Sequence, residues 1–73
     1  MKIYIGVRAL TKNGFEPEQA TEEQLIEEVY RYPTRRADYP FMGRWELDEF
    51  ARAFNEDSYA DFNPTVYWIR FVL

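Results

Sequence analysis

Thirteen acidic and nine basic side chains do whatever charged chemistry this 73-residue chain can do, and it has neither histidine nor cysteine. Histidine is the side chain that titrates nearest neutral pH, and a serine or threonine nucleophile usually needs it as a base. The single serine, Ser58, lies in Glu56-Asp57-Ser58, a stretch that reads as a helix exit or turn. The two lysines, Lys2 and Lys12, fall at positions expected to be exposed, where nothing would depress an amine. Paired carboxylates are a second route to acid–base chemistry, as in glycoside hydrolysis. With thirteen acids some pair is inevitable, and a catalytic pair also needs a deep pocket that so short a fold rarely builds. Asp57 and Asp61 flank a loop, but it lacks the glycine-bearing Asp-x-Asp-x-Asp-Gly spacing of a calcium site. The three glycines, Gly6, Gly14 and Gly43, are scattered and make no phosphate loop. The expectation is a protein that is not an enzyme and holds no metal and no cofactor.

What the chain has in excess is aromatic surface: six tyrosines, six phenylalanines and two tryptophans. Each buried ring removes roughly 150–250 Å² from water, so a few rings can stabilise a chain with no disulfide to help it. A single domain spanning 1–73 is expected. No apolar run approaches the roughly 20 residues that cross a bilayer. Ile3-Tyr4-Ile5-Gly6-Val7 is too short for the apolar core of a signal peptide. These features, with the absence of cysteine, point to a cytoplasmic protein.

The formal net charge of −4 is unevenly distributed. Glu16, Glu18, Glu22, Glu23, Glu27 and Glu28 form one acidic stripe, and Arg31, Arg35, Arg36 and Arg44 a basic one with a single acid, Asp38. Glu46, Asp48, Glu49, Glu56, Asp57 and Asp61 form a second acidic stripe against Arg52. Such stripes usually solvate a small protein; the sharper use of one is to dock on a charged partner.

Three strands and two helices must position these groups. Residues 2–9 alternate, with Ile3, Ile5, Val7 and Ala9 on one face and Lys2, Tyr4, Gly6 and Arg8 on the other, as in a half-buried strand. Asn13-Gly14 and Pro17 make 10–20 a loop. Thr21 and Gln24 have the spacing of a capping box, which opens a first helix that Pro33 ends. Its apolar stripe is Leu25, Val29 and Tyr32, widened by Ile26 and Tyr30. Residues 41–46 read as a short strand weakened by Gly43. Leu47 to about Glu56 reads as a second helix, with Leu47, Phe50 and Phe54 recurring at i, i+3 and i+7 and Phe50 and Phe54 expected to be buried against Ile3, Ile5 and Ile69. Thr65 to Leu73 is the strongest strand, with Tyr67, Ile69, Phe71 and Leu73 on one face and Val66, Trp68, Arg70 and Val72 on the other. The order β-α-β-α-β predicts an α+β fold, a small three-stranded sheet with both helices packed on one face. The first or last strand is the natural centre.

On that arrangement Tyr4, Arg8, Trp68 and Arg70, joined by Val66 and Val72, share an open sheet face. Aromatics beside arginines on an open sheet stack single-stranded nucleic acid, and they are also enriched at protein–protein hot spots. The acidic total and the lack of an RNP-like aromatic motif favour a protein partner over direct nucleic-acid binding. The arginines at 31, 35, 36 and 44 could neutralise phosphates, but the flanking acids would repel the rest of a strand. Pairing with neighbouring glutamates is their expected role.

The stretch from Trp45-Glu46-Leu47-Asp48-Glu49-Phe50-Ala51 through Phe54-Asn55 to Tyr67-Trp68-Ile69-Arg70-Phe71-Val72 resembles small accessory proteins of phages and mobile elements. Those proteins pair a short acidic helix with a closing aromatic strand, and some block host defences as anti-CRISPR or anti-restriction proteins do. The resemblance implies an inhibitor that imitates nucleic acid, although the arginine cluster departs from a pure mimic. In that case Asp48, Glu49, Glu56, Asp57 and Asp61 would enter a basic groove of a nucleic-acid enzyme, with aromatic residues as the anchor. The alternatives are a nucleic-acid-binding protein using Tyr4, Arg8, Trp68 and Arg70, or a homodimer built on the same sheet face.

Overall fold

A computed structural model describes residues 1–32, 39, 41–56 and 63–73. It contains strand β1 (Lys2–Val7), helix α1 (Glu22–Arg31), strand β2 (Gly43–Glu46), helix α2 (Leu47–Glu56) and strand β3 (Tyr67–Val72), with a 3-10 turn at Arg8–Leu10 after β1. The strands form one antiparallel sheet in the order β2-β1-β3, and the fold is α+β. The central strand is the first one.

Local chemistry explains α1 well. Thr21 accepts a hydrogen bond from the Gln24 amide at 3.2 Å, and the Gln24 side chain accepts from the Thr21 amide at 2.9 Å. This reciprocal cap satisfies two amides that a helix start otherwise leaves open. Glu22 and Glu23 sit in the first turn and Arg31 in the last, each at the end of the helix dipole that favours its charge. Inside the helix Leu25 and Val29 are buried, whereas Ile26 and Tyr30 remain exposed on its outer side.

The helices do not share a face of the sheet. Ile3, Ile5, Val7, Phe41 and Tyr67 form one buried cluster, against which Trp45, Ile69 and Phe50 of α2 pack. Tyr4 and Trp68 form a second cluster with Ala20 and with Leu25 and Val29 of α1. Alternate residues of a strand point to opposite faces, so α1 and α2 cover opposite sides and the sheet lies between them. The expectation of both helices on one face is therefore corrected. The physical reason lies in the face that looked polar: its tyrosine and tryptophan rings carry enough apolar area to require a helix of their own.

Gly6 makes the second cluster possible. It stands opposite Trp68 in the register. A Cβ built on Gly6 would lie 2.4 Å from the indole ring, so the ring rests directly on the glycine backbone. Phe15, from the loop before α1, also packs against that indole at a centroid distance of 5.6 Å. At the opposite face the Phe41 ring lies 5.5 Å from Phe50 and 6.2 Å from Trp45, whose indole N–H donates to the Phe41 carbonyl at 2.8 Å. Phe54 touches Phe41 and Phe50 but is 41% exposed, so it caps this cluster from outside instead of entering it.

Two stability predictions come from this packing. Gly6→Ala should destabilise by about 1–3 kcal/mol through overpacking against Trp68. In a Trp68→Leu background the same change should cost much less, a non-additivity readable from urea midpoints. A neutral Gly6→Ala in the wild-type background would refute the contact. Phe41→Ala, at a site 1% exposed, should cost about 3–5 kcal/mol, and Phe54→Ala only about 1–2 kcal/mol. Equal losses in thermal melts would contradict this division of the aromatic cluster.

Candidate partner-binding surface

The strand residues expected on an open face are largely enclosed. Tyr4 and Trp68 are 0% and 1% exposed beneath α1 and Phe15, so neither ring is available to a partner or a nucleobase. Arg70 is half-buried and donates to the carbonyls of Pro17 and Ala20, which fastens the loop before α1 to β3. Arg8 is exposed in the 3-10 turn and reaches the Pro64 carbonyl at 3.5 Å. Tyr4, Trp68 and Arg70 do share a face, since Tyr4 pairs with Arg70 and Gly6 with Trp68, whereas Arg8 and Val66 lie outside the strands. That face is not open. An aromatic sheet platform, whether for nucleic acid or for face-to-face self-association, is thus corrected to an internal layer.

The covered face also holds a polar cluster. The Tyr4 hydroxyl and the Lys2 ammonium each donate to Glu22 at 2.9 Å, so β1 is tied to the first turn of α1. Hydrogen bonds from Lys2 and Tyr4 hold the Glu22 carboxyl below its ordinary value. Burial first, and then the bond to Glu22, push the Tyr4 phenol up. The bond to Glu22 likewise raises Lys2. Glu28, only 5% exposed, accepts from the Lys12 amide at 2.7 Å and lies 3.5 Å from Arg31. Sequence pattern alone missed this residue: a glutamate in a helix reads as solvated unless the loop that folds over it is known.

The charged stripes now separate into used and unused groups. Glu22 pairs with Lys2, Glu27 and Glu28 with Arg31, and Glu46 with Arg44 at 2.8 Å. Arg31 and Arg44 thus pair with neighbouring glutamates as expected, while Arg35 and Arg36 lie outside the described residues. Glu16, Glu18 and Glu23 are exposed and in no ion pair among the described residues, and the same holds for Asp48 and Glu49 in the first turn of α2. Beside them Leu47 is 46% exposed, and its amide donates to the Met1 carbonyl at 3.3 Å, which brings the half-exposed Met1 to the same end of the sheet. Glu56 ends α2, but its side chain, with Asp57 and Asp61, lies outside the described residues.

Among the described residues no three acidic side chains gather as a metal-ligand set, and no helix is long and apolar enough to cross a membrane. A hollow of about 360 Å³ is lined by Lys12, Phe15, Glu16 and Gln24 of the loop and α1, and it is open to solvent. No protein-family model, curated protein or solved structure matches this chain.

The Glu22 cluster sets a pH dependence. A carboxyl held below its unfolded value stabilises the fold above that value and loses the contribution as pH falls through the folded one. The raised Tyr4 and Lys2 act oppositely: their contribution is present below their unfolded values near 10 and fades as pH rises beyond. Glu22→Gln should therefore flatten the loss of stability below about pH 4.5 and leave most of the alkaline limb, where burial of Tyr4 dominates. Urea midpoints from pH 3 to 6 measure the first effect, and identical acid slopes in the two proteins would contradict it.

Proposed function

We propose that this chain is a non-catalytic protein-binding module whose contact surface is the acidic start of α2. The observation that carries the reading is that Asp48 and Glu49, exposed and outside the ion pairs that engage Glu22, Glu27, Glu28 and Glu46, adjoin the exposed Leu47 and the half-exposed Met1. Side chains already committed to a neighbour gain less from a new partner than uncommitted ones. The exposed Leu47 supplies adjoining apolar area, as a hot spot needs at its centre. The chemistry that complements this surface is a basic groove with an apolar floor. A cytoplasmic nucleic-acid enzyme presents such a groove, and steric and acidic mimicry of its substrate would make the chain an inhibitor of the phage anti-defence kind. Glu56, Asp57 and Asp61 extend the acidic surface in this reading. Direct nucleic-acid binding is disfavoured by the burial of Tyr4 and Trp68 and by the pairing of Arg31 and Arg44.

Charge reversal tests the surface. Asp48→Lys with Glu49→Lys should abolish capture of a specific protein from the native host lysate and slow its association, most strongly at low salt. Glu18→Lys with Glu23→Lys is the control, because both residues are exposed and outside the ion pairs above, and the net charge changes equally. Circular dichroism must show both variants folded. Equal losses would reduce the interaction to general electrostatics, and loss in the control alone would place the site elsewhere. Fluorescence titration with single-stranded oligonucleotides decides the competing reading: micromolar, steeply salt-dependent binding would overturn protein mimicry.

A further inference from the structure

Trp68 carries a polar group that the fold encloses without a protein partner. Its side chain is 1% exposed, and among the described residues no acceptor lies within hydrogen-bond distance of the indole nitrogen. The other tryptophan is satisfied, because the Trp45 indole N–H donates to the Phe41 carbonyl at 2.8 Å. Buried polar groups that lack a protein partner are as a rule bonded to ordered water.

The surroundings of that nitrogen have the size and the chemistry such a water requires. It lies beside Gly6, as one of the three atoms that a Cβ on that residue would strike. Gly6 and Trp68 border a cavity of about 10 Å³, which Val7, Leu10 and Met42 line with apolar surface and Glu28 reaches from α1. This is about the room one water needs and too little for a larger ligand. Glu28 supplies the acceptor. It is 5% exposed; one carboxylate oxygen accepts from the Lys12 amide at 2.7 Å, and the other lies 3.5 Å from the Arg31 guanidinium. A carboxylate has about four lone-pair sites, so these contacts leave capacity for a further donor. A wholly apolar cavity of this size would stay dry, whereas one bordered by an unpaired N–H and a carboxylate binds water.

We propose that this cavity is the binding site of a single internal water, which accepts from the Trp68 indole N–H and donates to the Glu28 carboxylate. The bridge explains how two polar groups come to border one cavity beneath α1 with no direct bond between them. It joins three parts of the fold: Trp68 on β3, Glu28 on α1 and, through the Lys12 amide on the same carboxylate, the loop before α1. The site does not depend on what α2 binds.

Proton NMR of the full chain tests the bridge, with Trp45 as an internal control. Trp68→Phe assigns the two indole N–H signals. In the wild-type chain the Trp68 indole proton should show water cross-peaks of opposite sign in NOESY and ROESY spectra, the mark of water held far longer than surface water. The Trp45 indole proton should show no such contact. Glu28→Met keeps the side-chain length and removes the acceptor, so it should abolish the Trp68 cross-peak and lower by one the internal waters counted by magnetic relaxation dispersion. Glu28→Gln retains an acceptor oxygen and should keep both signals. The wild-type spectra test the water itself whether or not a variant folds. A Trp68 indole proton without a long-lived water contact, or a contact that survives Glu28→Met unchanged, would overturn the proposal.

Discussion

Strand β1 bears bulky apolar side chains on both of its faces, and the rest of the fold is arranged to cover them. Ile3, Ile5 and Val7 face one way and Tyr4 the other, and all four are 2% exposed or less. A strand in this condition must be central and must have a layer on each side. It receives β2 and β3 at its edges, α2 with Phe41 over one face, and α1 with Phe15 over the other. The helix layer on the Tyr4 side is deep enough to enclose a tryptophan only because residue 6 has no side chain, so that the indole lies against the backbone. Replacing either member of that pair changes the spacing between sheet and helix.

Enclosure on both faces redistributes the polar groups. The phenol end of Tyr4 and the carboxylate of Glu28 are drawn under α1 and the preceding loop, and each is satisfied there, by Glu22 and by the Lys12 amide. The Trp68 indole N–H, by contrast, finds no acceptor among the described residues. Left unpaired, a buried donor of this kind costs about 1–3 kcal/mol. Arg70 works as a clasp, joining the closing strand to the loop that carries Pro17 and Ala20. Residues with the look of a binding face are thus consumed in holding α1 to the sheet, while Asp48 and Glu49 at the start of α2 remain exposed.

Much of this was legible in the chain itself. The capping box of Thr21 and Gln24, the alternation of the strands, the α+β class and the local pairing of Arg31 and Arg44 rest on forces that act within a few residues. So does the placement of Asp48 and Glu49 in a helical first turn. What only the tertiary structure decided is which face each helix covers. Period-two alternation distinguishes the two faces of a strand but does not say how many of them are buried, because tyrosine and tryptophan satisfy either a wet surface or a dry one. For the same reason Phe54, which the helical period turns inward, ends 41% exposed: the space beneath α2 is already filled by Phe41, Trp45 and Phe50. Coverage is settled by competition between distant segments for the same apolar area, and that competition has no local signature.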